Sequence, residues 1–292
     1  MSIEICVLAS GSAGNCTAVR TPAGVMLIDA GLGPRTAAQR LHGTGVHVSD
    51  VAAICLTHLD HDHFNRSWLA TILARGVRVF CHLNRIDNLV RSALGARPER
   101  EQLAQLRALV EPFNGHAFEP LPGLELRPVL CAHDRLGSSG FVLDGFGSRV
   151  GFATDLGRVP DDLFDAFCEL DVLALESNYD HRMQVESARP WFLKRRIMGG
   201  SGHLSNEQAL EAVRRILSRC ERAGSRLPAH IVLLHRSREC NCPELLRKLF
   251  SRDVRIAPRL VLAEQFERTS WLGARPRGYD AVTGHQLQLA WG

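Results

Sequence analysis

The chain has 292 residues, 45% of them apolar and 23% charged, with 25 glycines, 13 prolines and a formal net charge of +4. Those proportions exclude a disordered, collagen-like or fibrous protein and leave one large globular domain or two small ones. The longest apolar runs, such as Val51–Thr57 and Ile231–Leu234, stop well short of the roughly 18 residues a membrane span needs; with no export signature at the N-terminus, the expected compartment is the cytoplasm.

Strand patterns open the chain at Ile3–Ala9, Cys16–Arg20 and Val25–Asp29. The turn Ser10-Gly11-Ser12-Ala13-Gly14-Asn15 and then Pro22-Ala23-Gly24 separate them, which reads as an antiparallel meander. A helix is predicted over Pro34–Leu41 and a buried strand over Val51–Thr57. Helices follow at Arg66–Arg75, Arg85–Leu94 and Arg100–Val110, with a strand at Val77–Cys81 between the first two. The second half restarts with strands at Leu124–Ala132, Gly140–Leu143 and Val150–Thr154, a helix at Asp161–Glu169 and a strand at Val172–Glu176. Ser205-Asn206-Glu207-Gln208 is a capping box, and Ala209, Leu210, Val213, Ile216 and Leu217 continue it at helical spacing. The strand Ile231–Leu234 comes next. No short-period repeat or linker interrupts the pattern, so one α/β domain of two similar halves is expected over 1–258, with an extension over 259–292 packed on it.

Lysine occurs only at Lys194 and Lys248, so arginine supplies nearly all of the 35 cations. Arginine favours phosphate, but a GC-rich genome produces the same bias. The arginines dense between Arg189 and Arg226 fit either a phosphate-rich partner or a solvated helix face. Nine cysteines without disulfide rhythm are expected of a reducing compartment and read mostly as core; Cys240 and Cys242 make a poor zinc-ribbon pair.

The chemistry concentrates in Thr57-His58-Leu59-Asp60-His61-Asp62-His63, three imidazoles and two carboxylates at the end of a buried strand. Such groups are costly there unless something satisfies them, and a divalent cation satisfies them together. The run resembles the metallo-β-lactamase superfamily signature His-x-His-x-Asp-His, matched by His58 through His63 with Asp60 in place of the second histidine. Starting the register at His61 would put Asn65 and Arg66 where the essential Asp and the last His belong. The resemblance continues in order through Leu27-Ile28-Asp29-Ala30-Gly31, His133, Asp155 and His235. A finer likeness, in Leu8–Asn15, Ala153–Gly157, Glu176–Asp180, Gly202–Asn206 and Pro243-Glu244-Leu245, is to the YycJ-like (WalJ-like) branch. Its members are cytoplasmic bacterial proteins related to tRNase Z and associated with exonuclease action on DNA. The branch's usual His-Leu-Ser is His235-Arg236-Ser237 here, and its Asn pair is Cys240-Asn241.

This resemblance implies a four-layer αββα sandwich and two divalent metal ions, Zn or Mn. It assigns one ion to His58, Asp60 and His133, the other to Asp62, His63 and His235, and puts Asp155 between them. His61 falls at a variable position and is left out. Such a pair activates water and clamps phosphodiester oxygens during in-line attack. His203 lies just before the capped helix, where a phosphate is favoured, and is assigned to leaving-group protonation or phosphate contact. Glu176 either orients that imidazole or forms a structural salt bridge; with Asp62 and His203 it completes the expected catalytic groups. Ser10, Ser12 and Asn15 form either a phosphate-binding backbone nest or an ordinary turn, and Asn178 joins the expected substrate contacts. His42, His47, His82, His116, His181, His230 and His285 read as surface or core. The leading function is a dinuclear phosphodiesterase on nucleic acid, a DNA exonuclease; the alternatives are an acyl hydrolase (thioester, lactone or β-lactam) and a non-catalytic metal-binding module.

Overall fold

The computed structural model describes residues 2–274; His285 and the rest of the predicted extension, 275–292, lie outside the described residues. Two seven-stranded sheets organise the chain. In spatial order the first holds Leu272–Gly273, Glu4–Ala9, Cys16–Thr21, Gly24–Ile28, Val51–Cys55, Arg78–His82 and Val110–Phe113. The second holds Leu260–Leu262, His230–Leu234, Val172–Glu176, Ser148–Ala153, Ser138–Gly145, Leu124–Cys131 and Phe118–Leu121. Each sheet begins with antiparallel hairpins and becomes parallel once helices supply the crossovers, from Gly24–Ile28 onward in the first and from Ser148–Ala153 onward in the second.

Alternation along the strands explains the layering. Ile5 and Val7 face a core shared by the two sheets with Val172, Ala174, Val232 and Leu234. Their neighbours Cys6 and Leu8 face outward to Trp68, Ile72, Leu89 and Leu106 on the first helical layer. Leu173, Leu175, Ile231 and Leu233 likewise meet Leu163, Val213, Leu217, Leu246 and Phe250 on the second helical layer. Strands apolar on both faces need cover on both faces, and the result is the αββα sandwich. No helix among the described residues is long and apolar enough to cross a membrane.

Several elements depart from the sequence expectations. The strands Val110–Phe113 and Phe118–Leu121 were not predicted; each carries a proline and lies at a sheet edge, where the missing N–H costs no ladder bond. Val110 therefore starts a strand rather than ending a helix. The helices His181–Glu186, Trp191–Met198 and Pro243–Phe250 also escaped prediction, and the helix expected to reach Glu169 stops at Ala166. From the predicted extension, Leu260–Leu262 and Leu272–Gly273 add one edge strand to each sheet.

Part of the arginine-dense stretch is engaged in ion pairs. On the helix Asn206–Arg222, Arg214 pairs with Asp253, Arg215 with Asp161 and Arg219 with Asp165, while Arg189 upstream pairs with Glu239.

Candidate metal centre

Every predicted metal ligand lies at or just beyond a strand end. The loop after Val51–Cys55 carries His58 to His63, and the ends of Leu124–Cys131, Ser148–Ala153 and His230–Leu234 deliver His133, Asp155 and His235. Asp29, Asp155 and His235 have φ of 59°, 56° and 52°, left-handed values that non-glycine residues rarely adopt. Such strain persists where the surroundings over-determine it, and here each turn sits beside the same cluster. Gly31 allows the loop to close: a β-carbon there would stand 1.8 Å from the Asp62 carbonyl oxygen.

The ligand atoms gather into overlapping groups whose members lie within 4.8 Å of one another: His58, Asp60 and His133; Asp62, His63 and His235; and His58, His63 and Asp155. Asp60 Oδ2 stands 3.9 Å from both His58 Nε2 and His133 Nε2. One ion with bonds of about 2.0–2.2 Å could touch all three. Asp155 reaches His63 Nε2 at 3.0 Å and His133 Nε2 at 3.8 Å, so it lies between the two trios. His61, by contrast, has a 91% exposed side chain.

The imidazoles are oriented through Nδ1. His133 Nδ1 donates to the Gly202 carbonyl at 2.9 Å and His63 Nδ1 to Asp29 Oδ2 at 2.7 Å. His235 Nδ1 lies 3.1 Å from Glu176 Oε1, and His58 Nδ1 lies 3.0 Å from the Thr57 hydroxyl, which itself contacts both Asp29 oxygens. Nε2 of each ring is left toward the shared centre, and Nε2 of His58 and of His235 is buried without a hydrogen-bond partner. Rings whose far nitrogen is held by a carboxylate or carbonyl are typical metal ligands. The donors are nitrogen and oxygen with no thiolate, a set that fits Zn or Mn.

Electrostatics favour a cation at the same point. Burial disfavours charge on His63, yet Asp29 and Asp155 outweigh it and hold the ring well above the ordinary histidine range. Burial likewise opposes charge on His235, but Asp155, Asp62 and Glu176 push it up to about 10. Burial and the adjacent His63 hold His58 well below its usual value. Asp155 resists its own burial and stays well below the carboxylate range because His235 and His63 stand beside it. Only imidazoles form ion pairs with Asp62 and Asp155 among the described residues, leaving protons to do what a divalent ion does better.

Glu176 is fully buried, and its Oε1 accepts from His203 Nδ1 at 2.7 Å. Its Oε2 accepts from the backbone N–H of Leu156 and Leu204. It therefore orients His203 and ties the Asp155 loop to the helix start, where Ser205 and Gln208 form the expected capping box. The His203 side chain is 20% exposed at the rim.

The predicted substrate contacts separate. Ser10 and Asn15 are buried: the Ser10 hydroxyl accepts the His235 N–H at 2.7 Å, and the Asn15 amide lies 2.9 Å from His63 Nε2 and 3.3 Å from Asp62 Oδ2. The loop's N–H groups at Ser10, Gly11, Ala13, Gly14 and Asn15 are spent on Glu264, Asn15, Gln265, Gly11 and Asp62. Those five groups form a braced turn and not an anion nest. Asn178 is buried and donates to the His235 carbonyl at 2.7 Å, while Ser12 is exposed. Sequence reasoning missed Thr57 as the hydroxyl joining Asp29, His58 and His63; its place immediately before the first histidine was the available signal.

Fold and cluster together define a protein class: residues 25–231 match the beta-lactamase superfamily domain, and the chain belongs to that family. Among characterised relatives it is similar to the exodeoxyribonuclease YycJ of Bacillus anthracis, 26% identical over 248 residues that cover 85% of this chain and 87% of that one. It is also similar to the exodeoxyribonuclease WalJ of Streptococcus pneumoniae, at 27% identity over 244 residues, covering 82% and 83%. Among solved structures, the metallo-beta-lactamase fold protein YhfI of Bacillus subtilis superposes with a TM-score of 0.62 at 13% identity, covering 92% of this chain and 99% of that one. That likeness establishes the shared fold.

Proposed function

We propose that the protein is a cytoplasmic, dinuclear metal-dependent phosphodiesterase that hydrolyses nucleic acid, acting on DNA as an exonuclease. The observation that carries this reading is the pair of candidate ligand trios meeting at Asp155, with His203, held by the buried Glu176, on the rim. The YycJ and WalJ similarities support the choice of DNA, and the spread of nine thiols, mostly in the cores, supports a reducing compartment. His58, Asp60 and His133 would hold one divalent ion, Zn or Mn, and Asp62, His63 and His235 the other, with Asp155 shared. When bound, the two ions supply activation of water and neutralisation of charge on the phosphodiester oxygens.

The chain's own groups do the rest. Asp29, Thr57 and Glu176 keep the ligand rings aimed inward. His203, its Nδ1 held by Glu176, is left with Nε2 to carry a proton to the departing oxygen. The test is digestion of end-labelled single- and double-stranded DNA and RNA by metal-reconstituted protein, alongside turnover of bis(p-nitrophenyl) phosphate. Release of mononucleotides from DNA ends is expected. Turnover of a thioester or lactone without phosphodiester cleavage would make the protein an acyl hydrolase, and metal binding without either would make it a binding module.

A further inference from the structure

Beside the His235 corner lies a cavity of about 620 Å³, within the size range of small-ligand sites. Its lining includes Arg236, Arg238, Arg247, Arg268 and Phe266, with Glu264 and Glu267 as the acidic members. Its lining is tied to the loops around the candidate metal centre. Arg236 directly follows His235, Glu264 accepts the Ser10 N–H, and Gln265 grips the Ser10–Asn15 turn through Ala13 and Gly14. That turn in turn braces Asp62 and His63.

Two features of the lining point to a ligand. Arg236 is neutralised by Glu264, but no salt bridge engages Arg238, Arg247 or Arg268 among the described residues, so the cavity keeps an excess of positive charge. Phe266 is 57% exposed, and the Arg238 guanidinium lies over its ring, 4.9 Å from the centroid. An aromatic ring backed by arginine and ringed by cations is how proteins hold a base and its phosphate together. The arginine-dense helix has the charge but not this arrangement: Arg214, Arg215 and Arg219 are paired with carboxylates, and the ring under Arg215, Phe164, is buried.

We propose that this cavity is a subsite for one unpaired nucleotide of the strand being cut, its base lying on Phe266 and its phosphate between Arg247 and Arg268. The proposal rests on the phosphodiesterase reading and narrows its substrate. Inside a duplex both faces of a base are covered by its neighbours, so only a terminal or single-stranded base can lie on the ring. The subsite therefore selects strand ends and unpaired strands over the duplex interior.

The test uses the metal-loaded full chain and a short fluorescein-labelled phosphorothioate DNA strand, read by anisotropy, with a closed circular duplex as the competitor lacking ends. Wild type should bind the strand more tightly than the circle. Phe266→Ala should weaken strand binding about tenfold, in line with the loss of one base stack, and Phe266→Trp should restore it. Arg247→Gln with Arg268→Gln should make the salt dependence shallower by about 1.4 log units per log unit of salt, the contribution of two phosphates on a single strand. Phe266→Ala binding within twofold of wild type, or equal affinity for strand and circle, would overturn the subsite. Turnover of bis(p-nitrophenyl) phosphate by wild type, run in parallel, separates the two readings. If turnover is present the failure belongs to the subsite alone, and if it is absent the phosphodiesterase reading falls and the subsite with it.

Discussion

The two ligand trios are built to different tolerances. In the second, the side chains of Asp62, His63 and His235 are 11%, 0% and 3% exposed. His63 is held by Asp29 and Asn15, His235 by Glu176 through its ring, by Ser10 through its N–H and by Asn178 through its carbonyl. In the first, His58 and His133 are buried and oriented, but Asp60 is 41% exposed and meets its partners only at 3.9 Å. The single departure from the superfamily signature thus falls on the least constrained of the candidate ligands. On the two-ion reading, a change at Asp60 would alter the metal preference of the first trio without disturbing the second.

Removing the shared or the locked ligands should have the largest effect. His63→Ala and Asp155→Ala are expected to drop hydrolysis to background and to lose at least one ion per chain, with the far-ultraviolet circular dichroism unchanged. Full activity at unchanged metal content would break the assignment of both trios. His203→Ala comes next: turnover should fall roughly 10²- to 10⁴-fold, the range of general-acid catalysis, with both ions retained. The defect should shrink on p-nitrophenyl esters, whose leaving group needs no proton; an equal defect on nucleotide esters and p-nitrophenyl esters, or a lost ion, would deny it that role.

Smaller effects sharpen the contrast between the trios. Asp29→Asn touches His63 directly and His58 only through Thr57, so affinity at the second position should weaken about 10- to 100-fold and at the first by less. Competition with a chromophoric chelator would read both steps, and equal weakening at the two would remove the asymmetry. Asp60→His should have the mildest consequence. Wild type is expected to work better with Mn²⁺ than with Zn²⁺, because a carboxylate makes the first position harder, and the substitution should narrow that gap severalfold. Stability should change by no more than about 0.5 kcal/mol at so exposed a side chain. A higher wild-type activity with Zn²⁺ that the substitution leaves alone would mean that Asp60 does not act on the metal.

Much of the fold was legible for local reasons. Core strands such as Val172–Glu176 are uninterrupted apolar runs, and the Ser205 capping box is a four-residue signal that the structure reproduces bond for bond. The edge strands Val110–Phe113 and Phe118–Leu121 were hidden because proline contradicts a strand until its edge position is known. The grouping of charge was hidden in the same way. Arginine density drew attention to the helix Asn206–Arg222, whereas Arg238, Arg247 and Arg268, scattered in sequence, meet only when Leu260–Leu262 and Leu272–Gly273 close the two sheet edges.

The sequence by itself determined the core strands and the capped helix, the alternation that demands two covered sheets, and the cluster His58–His63, because each depends on residues within a few positions of one another. Tertiary structure alone decided that Ser10 bonds the His235 N–H and Asn15 reaches the His63 ring, that Glu176 serves both His203 and His235, and that Phe266 faces a basic cavity. The pairs Ser10–His235 and Glu176–His235 are 225 and 59 residues apart. Contacts across such distances are set by how strands stack and where left-handed turns at Asp29, Asp155 and His235 aim their side chains, and no local pattern encodes that direction.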